Sequence, residues 1–227
     1  MATDFVPSRN GFAFPNSWPS EPAIVIQVPG GRIGIGNAAR GLCGGMVFAA
    51  LDYWHAQAEP PAARPAAGTP LYQFIVRRLI DSWHIPAGVL RYYRWMNLPD
   101  GDSRGSWPPW REHGVSWLTI QQQWPLTRAS IDAGRPAPLG VVTMASWWPG
   151  VLGRNHQVLA YGYEVSGDEV SVAVYDPNSG PADDIRISFS LAAPALPTTF
   201  THNISIPWPV RGFFVTSYSA ATPPTGT

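Results

Sequence analysis

The hydrophobic pattern divides the chain into a helical first part and a strand-rich second part. Met46, Val47, Phe48, Ala49, Ala50, Leu51, Tyr53 and Trp54 form a nearly continuous apolar run. Apolar on all sides, it predicts a largely buried helix to Ala56, with Cys43 at its N-terminus. Gln57 to Thr69 is rich in Pro and Ala and reads as an exposed loop. Thr69-Pro70 resembles an N-cap with proline at the first helical position, and Leu71, Phe74, Ile75, Leu79, Ile80 and Trp83 recur at helical spacing. Val89 to Leu98 predicts a short third helix, and Pro99 to Trp110 a loop. Thr119 and Gln122 have the spacing of a capping box, opening a helix that ends near Gly134 with a kink at Pro125.

From Arg135 the period becomes that of strands. Leu139 to Met144 is a buried apolar run, and His156 to Val165 with Glu169 to Tyr175 predict a hairpin about Ser166-Gly167-Asp168. Ile185 to Leu191 and Arg211 to Tyr218 read as further strands. Before the helices, Ala23 to Val28 is a β-type run closed by Pro29-Gly30-Gly31. Phe5 to Pro22 reads as an aromatic, proline-rich arm lying across the surface, and the tail from Ala220 as mobile unless docked. Helices followed by an antiparallel sheet indicate the α+β class. The expected organisation is one domain over 1–227, with an arm and strands to 36, a mainly helical part over 37–134, an antiparallel sheet over 135–218 and a tail over 219–227.

Composition narrows the function. Charged residues make up 13% of the 227 positions and the formal net charge is zero, which argues against a nucleic-acid or acidic-membrane partner. Hydrophobic residues reach 45% with eleven Trp, so the 22 Gly and 25 Pro belong to a loop-rich globular protein. No stretch is long enough to suggest a transmembrane helix, and Met1 to Ser20 lacks the pattern of a secretory signal, so a cytoplasmic protein, or one exported without a Sec-type signal, is expected. The one cysteine allows no intrachain disulfide. All fifteen basic residues are Arg, which excludes Schiff-base and Ser-Lys chemistry and the phosphate-binding lysine of a P-loop. His55, His84, His113 and His202 are scattered, and no metal-binding motif occurs; neither metal nor cofactor is expected.

Two motifs are decoys. Gly34-x-Gly36-x-x-Ala39 matches the dinucleotide fingerprint, but no βαβ alternation follows it. Gly101-Asp102-Ser103-Arg104-Gly105 matches a nucleophile elbow, with Asp176 and His202 in hydrolase order, yet Pro99 and Pro108-Pro109 bracket it where a strand and a helix are required.

The chemistry gathers instead at Cys43. A thiol at a helix N-terminus faces unpaired backbone N–H groups and the positive end of the helix dipole, both of which favour thiolate. His156 opens one strand of the predicted hairpin and Asp176 closes the other, so their ends lie side by side. A carboxylate there can fix the imidazole's tautomer and leave the other nitrogen to serve a thiol. Asn178 is the next candidate for that third position. Asn37 precedes Cys43 across a Gly-rich turn, close enough to set an amide beside the sulfur, where an oxyanion would meet the Cys43 backbone N–H.

At these residues the sequence resembles the papain-like cysteine peptidases, nearest their bacterial branch that includes bacteriocin-processing peptidases. The resemblance rests on N-x5-C-G-G with its following helix, on Asn155-His156-Gln157-Val158, on the step to Asp176 and on the order Cys, His, Asp. It covers roughly Asn37 to Tyr218, matching closely only in short motifs such as G-L-C-G-G-M and N-H-Q-V-L-A-Y-G-Y. It implies a papain-like fold with N-terminal helices packed on an antiparallel sheet. Cys43 would be the nucleophile, His156 the general base and acid, Asp176 the orienting residue and Asn37 the oxyanion donor. Gly44, Gly45, Trp147, Trp148 and Asn155 are the expected substrate-binding positions. The sequence departs from the plant-type peptidases, which carry C-G-[SA]-C-W and an Asn as third member; many relatives have Gln where Asn37 stands. The expected function is cleavage of a peptide or isopeptide bond in a peptide or protein substrate through a thioester. The alternatives are acyl transfer on the same triad, a catalytically silent binding module, and a delivered effector or toxin.

Overall fold

The computed structural model describes residues 1–18, 24–28, 31–35, 42–104 and 111–224. The chain is α+β. Its centre is a six-stranded antiparallel sheet built from β5 (Ala137–Val142), β6 (His156–Ser166), β7 (Glu169–Tyr175), β8 (Arg186–Ser190), β9 (Thr201–His202) and β10 (Gly212–Val215). The strands lie in the order β10-β5-β6-β7-β8-β9, so the last strand returns to pair with the first, Phe213 opposite Val141. The hairpin of β6 and β7 turns at Gly167, which takes φ +58, a value open to glycine at little cost.

The centre of this sheet, β5 with the first part of β6 and the last part of β7, is buried on both faces and reads as apolar runs, whereas β8 alternates buried Ile187 and Phe189 with half-buried neighbours. Val158, Ala160, Val170, Val172 and Val174 pack on one side with Ile120, Trp124 and Phe213. Leu159, Tyr161, Ala173 and Tyr175 face the other side and meet α2 (Cys43–His55) and α3 (Pro70–Trp83). Helix α2 is buried from Cys43 to Tyr53, as expected of a helix apolar all round. It lies tightly on α3, because a Cβ on Gly45 would stand 2.1 Å from the Ile75 carbonyl oxygen. α4 (Ala87–Asn97) closes a third apolar cluster through Val89, Tyr92, Trp95 and Met96 against Phe214 and Leu152.

The N-terminal arm departs from expectation. It is not laid across the surface: Phe5 and Phe12 are fully buried, Phe14 and Trp18 nearly so, and all four join the core beside α2 and Tyr175. A short helix, α1 (Pro7–Asn10), lies within it. The expected β-run is present as β1 (Ile24–Val28), paired antiparallel with β2 (Gly31–Ile35); the dinucleotide decoy therefore begins in a hairpin, not a βαβ unit. The loop expected from Pro99 contains two short paired strands, β3 (Ser103–Arg104) and β4 (Arg111–Glu112). The tail is docked: Ala221 N–H donates to Asp52 at 2.9 Å and the Tyr53 hydroxyl to the Pro224 carbonyl at 3.2 Å.

Thr69 begins α3 in extended geometry with Pro70 following, but its hydroxyl donates to the Ala66 carbonyl and does not cap the helix. The expected capping box at Thr119 is not one. The helix starts earlier, as α5 (Val115–Leu118), and runs through a π turn over Thr119–Gln123 into α6 (Trp124–Asp132). The wider turn admits Pro125, which lacks the N–H of a regular helix. It also aims Thr119 and Gln123 at edge strand β10, where their side-chain oxygens accept the Phe213 and Val215 N–H groups at 3.2 and 3.0 Å. Edge donors that no strand pairs are satisfied in this way. No helix among the described residues is long and apolar enough to cross a membrane.

Candidate active site

The β6–β7 register sets the first pair of site residues. Leu159 lies opposite Tyr175, which places Asp176 one step beyond, at the level of Val158 and diagonal to His156. Diagonal neighbours on one face of a sheet are within reach of a long side chain. The His156 Nε2 is 2.7 Å from the Asp176 Oδ1, and both groups are buried. Because Nε2 is committed to the carboxylate, Nδ1 is the nitrogen left to the Cys43 thiol, which lies within hydrogen-bonding reach of the ring. Cys43 opens α2 behind Leu42, an N-cap residue that contributes no side-chain cap, so the first backbone N–H groups of the helix point toward the sulfur's end. Cys43 as a whole is 9% exposed.

Electrostatics support this geometry. Burial works against a charged imidazole, but the Asp176 charge, the Cys43 sulfur and hydrogen bonds to both outweigh it and push His156 up to about 10. Burial likewise opposes the Asp176 carboxylate, yet the His156 charge and hydrogen bonds hold it below the ordinary carboxylate range. Asp176 is fully supplied with donors. Its Oδ1 also accepts the Asn178 N–H at 2.9 Å, and its Oδ2 accepts the Ser205 N–H at 2.7 Å and the Ser179 hydroxyl at 3.1 Å.

The sequence-derived site residues divide by location. Cys43, His156 and Asp176 stand together. Asn37 lies outside the described residues. Gly44 and Gly45 are closely packed on their Cβ side: a Cβ on Gly44 would meet the Ser82 hydroxyl at 2.3 Å and the Gln157 amide at 2.7 Å, and one on Gly45 the Ile75 carbonyl oxygen at 2.1 Å, so neither position has room for a side chain. Asn155 is spent inside the chain, its Oδ1 accepting from Thr143 N–H at 3.1 Å and its Nδ2 donating to the Leu152 carbonyl at 3.0 Å. It shapes the loop that enters His156 and has no amide left for a ligand. Trp147 and Trp148 are 75% and 60% exposed, packed edge to face on each other just before the turn of 3-10 helix that leads to His156. Asn178 holds Asp176 through its backbone and does not replace it.

Two neighbours of the site carry no signal in the sequence. The Tyr92 hydroxyl donates to the His156 carbonyl at 3.2 Å, and burial together with the nearby Cys43 sulfur holds that phenol in its neutral, donating form. Its spacing with Val89, Trp95 and Met96 reads only as the core face of a helix. Asn16, on the arm, binds the Leu42 N–H at 2.7 Å and the Asn178 side chain at 2.9 Å. The hydrolase decoy resolves as structure: Asp102 accepts the Gly114 N–H at the start of α5 and pairs with His113, and His202 sits on β9, apart from the Asp176–His156 pair. Among the described residues no group of His, Cys, Asp and Glu could hold a metal ion.

Comparisons of the chain with protein-family models, curated proteins and solved structures return no match.

Proposed function

We propose that the chain is a papain-like cysteine peptidase. One observation carries this reading: a buried imidazole that binds a carboxylate through Nε2 and offers Nδ1 to a lone thiol at a helix N-terminus. A structural histidine needs neither the thiol nor the fourfold supply of donors that keeps Asp176 ionised.

In the proposed mechanism the Cys43 sulfur attacks the substrate carbonyl carbon, and the carbonyl π electrons move to oxygen. The Cys43 backbone N–H at the start of α2 receives the developing oxyanion, with Asn37 as the expected second donor. The oxyanion then collapses, the C–N bond breaks and the His156 Nδ1 proton passes to the leaving nitrogen, giving a thioester. Acylation also takes away the sulfur's influence, one of those that raises His156, so the ring that has given up its proton stays neutral and free to accept one from the water that follows. Water gives a proton to Nδ1, adds to the thioester carbon, and collapse releases the acid and the thiolate. Asp176 keeps the ring orientation throughout and carries no proton.

The test is intact-mass labelling by a peptide bearing a thiol-directed electrophile, on the wild type and on Cys43→Ser. Stoichiometric labelling of the wild type, faster than labelling of a free cysteine peptide and absent in the variant, is the expected result. A wild type labelled no faster than that peptide refutes the proposal.

A further inference from the structure

Asn16 belongs to the arm, far in sequence from every residue of the triad, yet its side chain lies between the two loops that carry the triad's ends. Its Oδ1 accepts two donors that can only donate, the Leu42 backbone N–H at 2.7 Å and the Trp18 indole N–H at 2.9 Å. Its Nδ2 donates to the Asn178 Oδ1 at 2.9 Å. The Asn178 amide is oriented in turn, since its Nδ2 meets the Ser205 carbonyl, a pure acceptor, at 3.1 Å. Every role is therefore assigned by a partner of fixed polarity, and position 16 requires one acceptor and one donor on a short planar group. The Asn16 backbone adds a second tie, donating to the Pro177 carbonyl at 2.8 Å.

The consequence concerns the nucleophile. Leu42 is the residue before Cys43, and its N–H lies one peptide plane ahead of the one that carries the Cys43 N–H, so holding it anchors the chain where it enters α2. Asn178 is the residue whose own N–H binds Asp176. A relay thus runs from the peptide before the thiol, through one amide, to the residue that holds the orienting carboxylate. We infer that Asn16 is a positioning residue that locks the Cys43 end of α2 to the Asp176 loop, so that the N-terminal arm forms part of the active site. The inference rests on the peptidase reading of that site. The buried Phe12 and Phe14 on the same arm explain how a strap so near the chain's beginning is held rigid enough to do this.

The experiment measures alkylation of Cys43 by iodoacetamide, which needs no substrate, together with labelling by the peptide electrophile, on the wild type, Asn16→Ala, Asn16→Asp and Asn178→Ala. Residues that hold a site in place typically cost about 10–100-fold when removed, and losses of that order are expected for Asn16→Ala and Asn178→Ala in the maximal labelling rate, with little change in half-saturation and a retained cooperative melt. Asn16→Asp keeps the acceptor for Leu42 but opposes the Asn178 oxygen with a carboxylate. Its labelling rate relative to wild type should therefore recover as the pH falls and the carboxyl gains a proton to donate, a pattern that a purely structural defect does not produce. A fast wild type with unchanged labelling in Asn16→Ala and Asn178→Ala overturns this inference alone. A wild type no more reactive than a free cysteine peptide overturns the peptidase reading and this inference with it. If none of the three variants folds, Asn16 is a folding element and the positioning role falls.

Discussion

Replacing Asp176 with Asn removes one charge and almost no volume, and the hydrogen bonds of Asp176 allow the result to be worked out atom by atom. The amide oxygen can stay at the Oδ1 position and continue to accept from His156 Nε2 and the Asn178 N–H. The amide nitrogen then occupies the Oδ2 position. Ser179 can turn its hydroxyl to accept from it, but the Ser205 N–H, which pointed at Oδ2 from 2.7 Å, now faces another donor. One N–H without its acceptor costs about 1–3 kcal/mol. At about 2–4 °C per kcal/mol for a chain of this size, Tm should fall by roughly 2–12 °C at neutral pH.

The pH dependence gives the sharper test. In the wild type His156 is raised to about 10, so its contribution to stability is complete below the unfolded imidazole value of about 6.5 and is lost as pH rises through about 10. Asp176 is lowered, so its contribution is present above the ordinary carboxylate value and lost as pH falls through its folded pKa. Asp176→Asn abolishes the second contribution and weakens the first, because burial of the ring is no longer opposed by a full charge. The Tm gap between wild type and variant should therefore be widest between the ordinary carboxylate value and about 6.5, and narrow as pH falls below that window or rises through about 10. Melting both proteins by circular dichroism from acid to alkaline pH measures this. A gap that stays constant with pH would show that the carboxylate does not hold the imidazole charged, and the account of the pair would fail.

Two further substitutions test the frame around the site. Gly45→Ala sets a methyl 2.1 Å from the Ile75 carbonyl oxygen, a backbone atom that cannot turn aside, so α2 and α3 must separate; the expected loss is at least about 1–3 kcal/mol by denaturant unfolding, and a neutral result would mean that the helices do not touch there. Asp52 is buried against Arg78, with 2.7 Å between Nε and Oδ2, and also accepts from Tyr218 and Ala221. Asp52→Ala should cost at least about 1–3 kcal/mol by leaving the buried Arg78 Nε without its acceptor, although Asp81 still binds Nη1 at 2.7 Å, and should free the tail to limited proteolysis beyond Tyr218; a tail that stays protected would place its anchor elsewhere.

The sequence by itself determined the class of the fold and three members of the candidate site. Those readings rest on local physics: an apolar run too uniform to be anything but a buried helix, and a hairpin whose two ends must lie together once its turn at Gly167 is recognised. The diagonal placement of Asp176 on His156 follows from that register, and the chain order of Cys43, His156 and Asp176 was legible as written. Tertiary structure decided what has no local period. Thr119 and Gln122 carry the spacing of a capping box, yet the helix passes through Thr119, because edge strand β10 needs acceptors and the π turn supplies Thr119 and Gln123 to it. Gly44 and Gly45 stand beside the thiol in sequence, but the close approach of α3 and Gln157 claims them for packing. Asn155 precedes the imidazole, yet its amide satisfies the backbone at the end of β5. The arm holds the largest surprise: its aromatic residues have no periodicity, so nothing local shows that Phe5 and Phe12 are fully buried. Its Asn16 reaches the site only because that burial carries it past Leu42 and Asn178. Contacts between segments so distant depend on where each surface comes to rest, which no window of neighbouring residues contains.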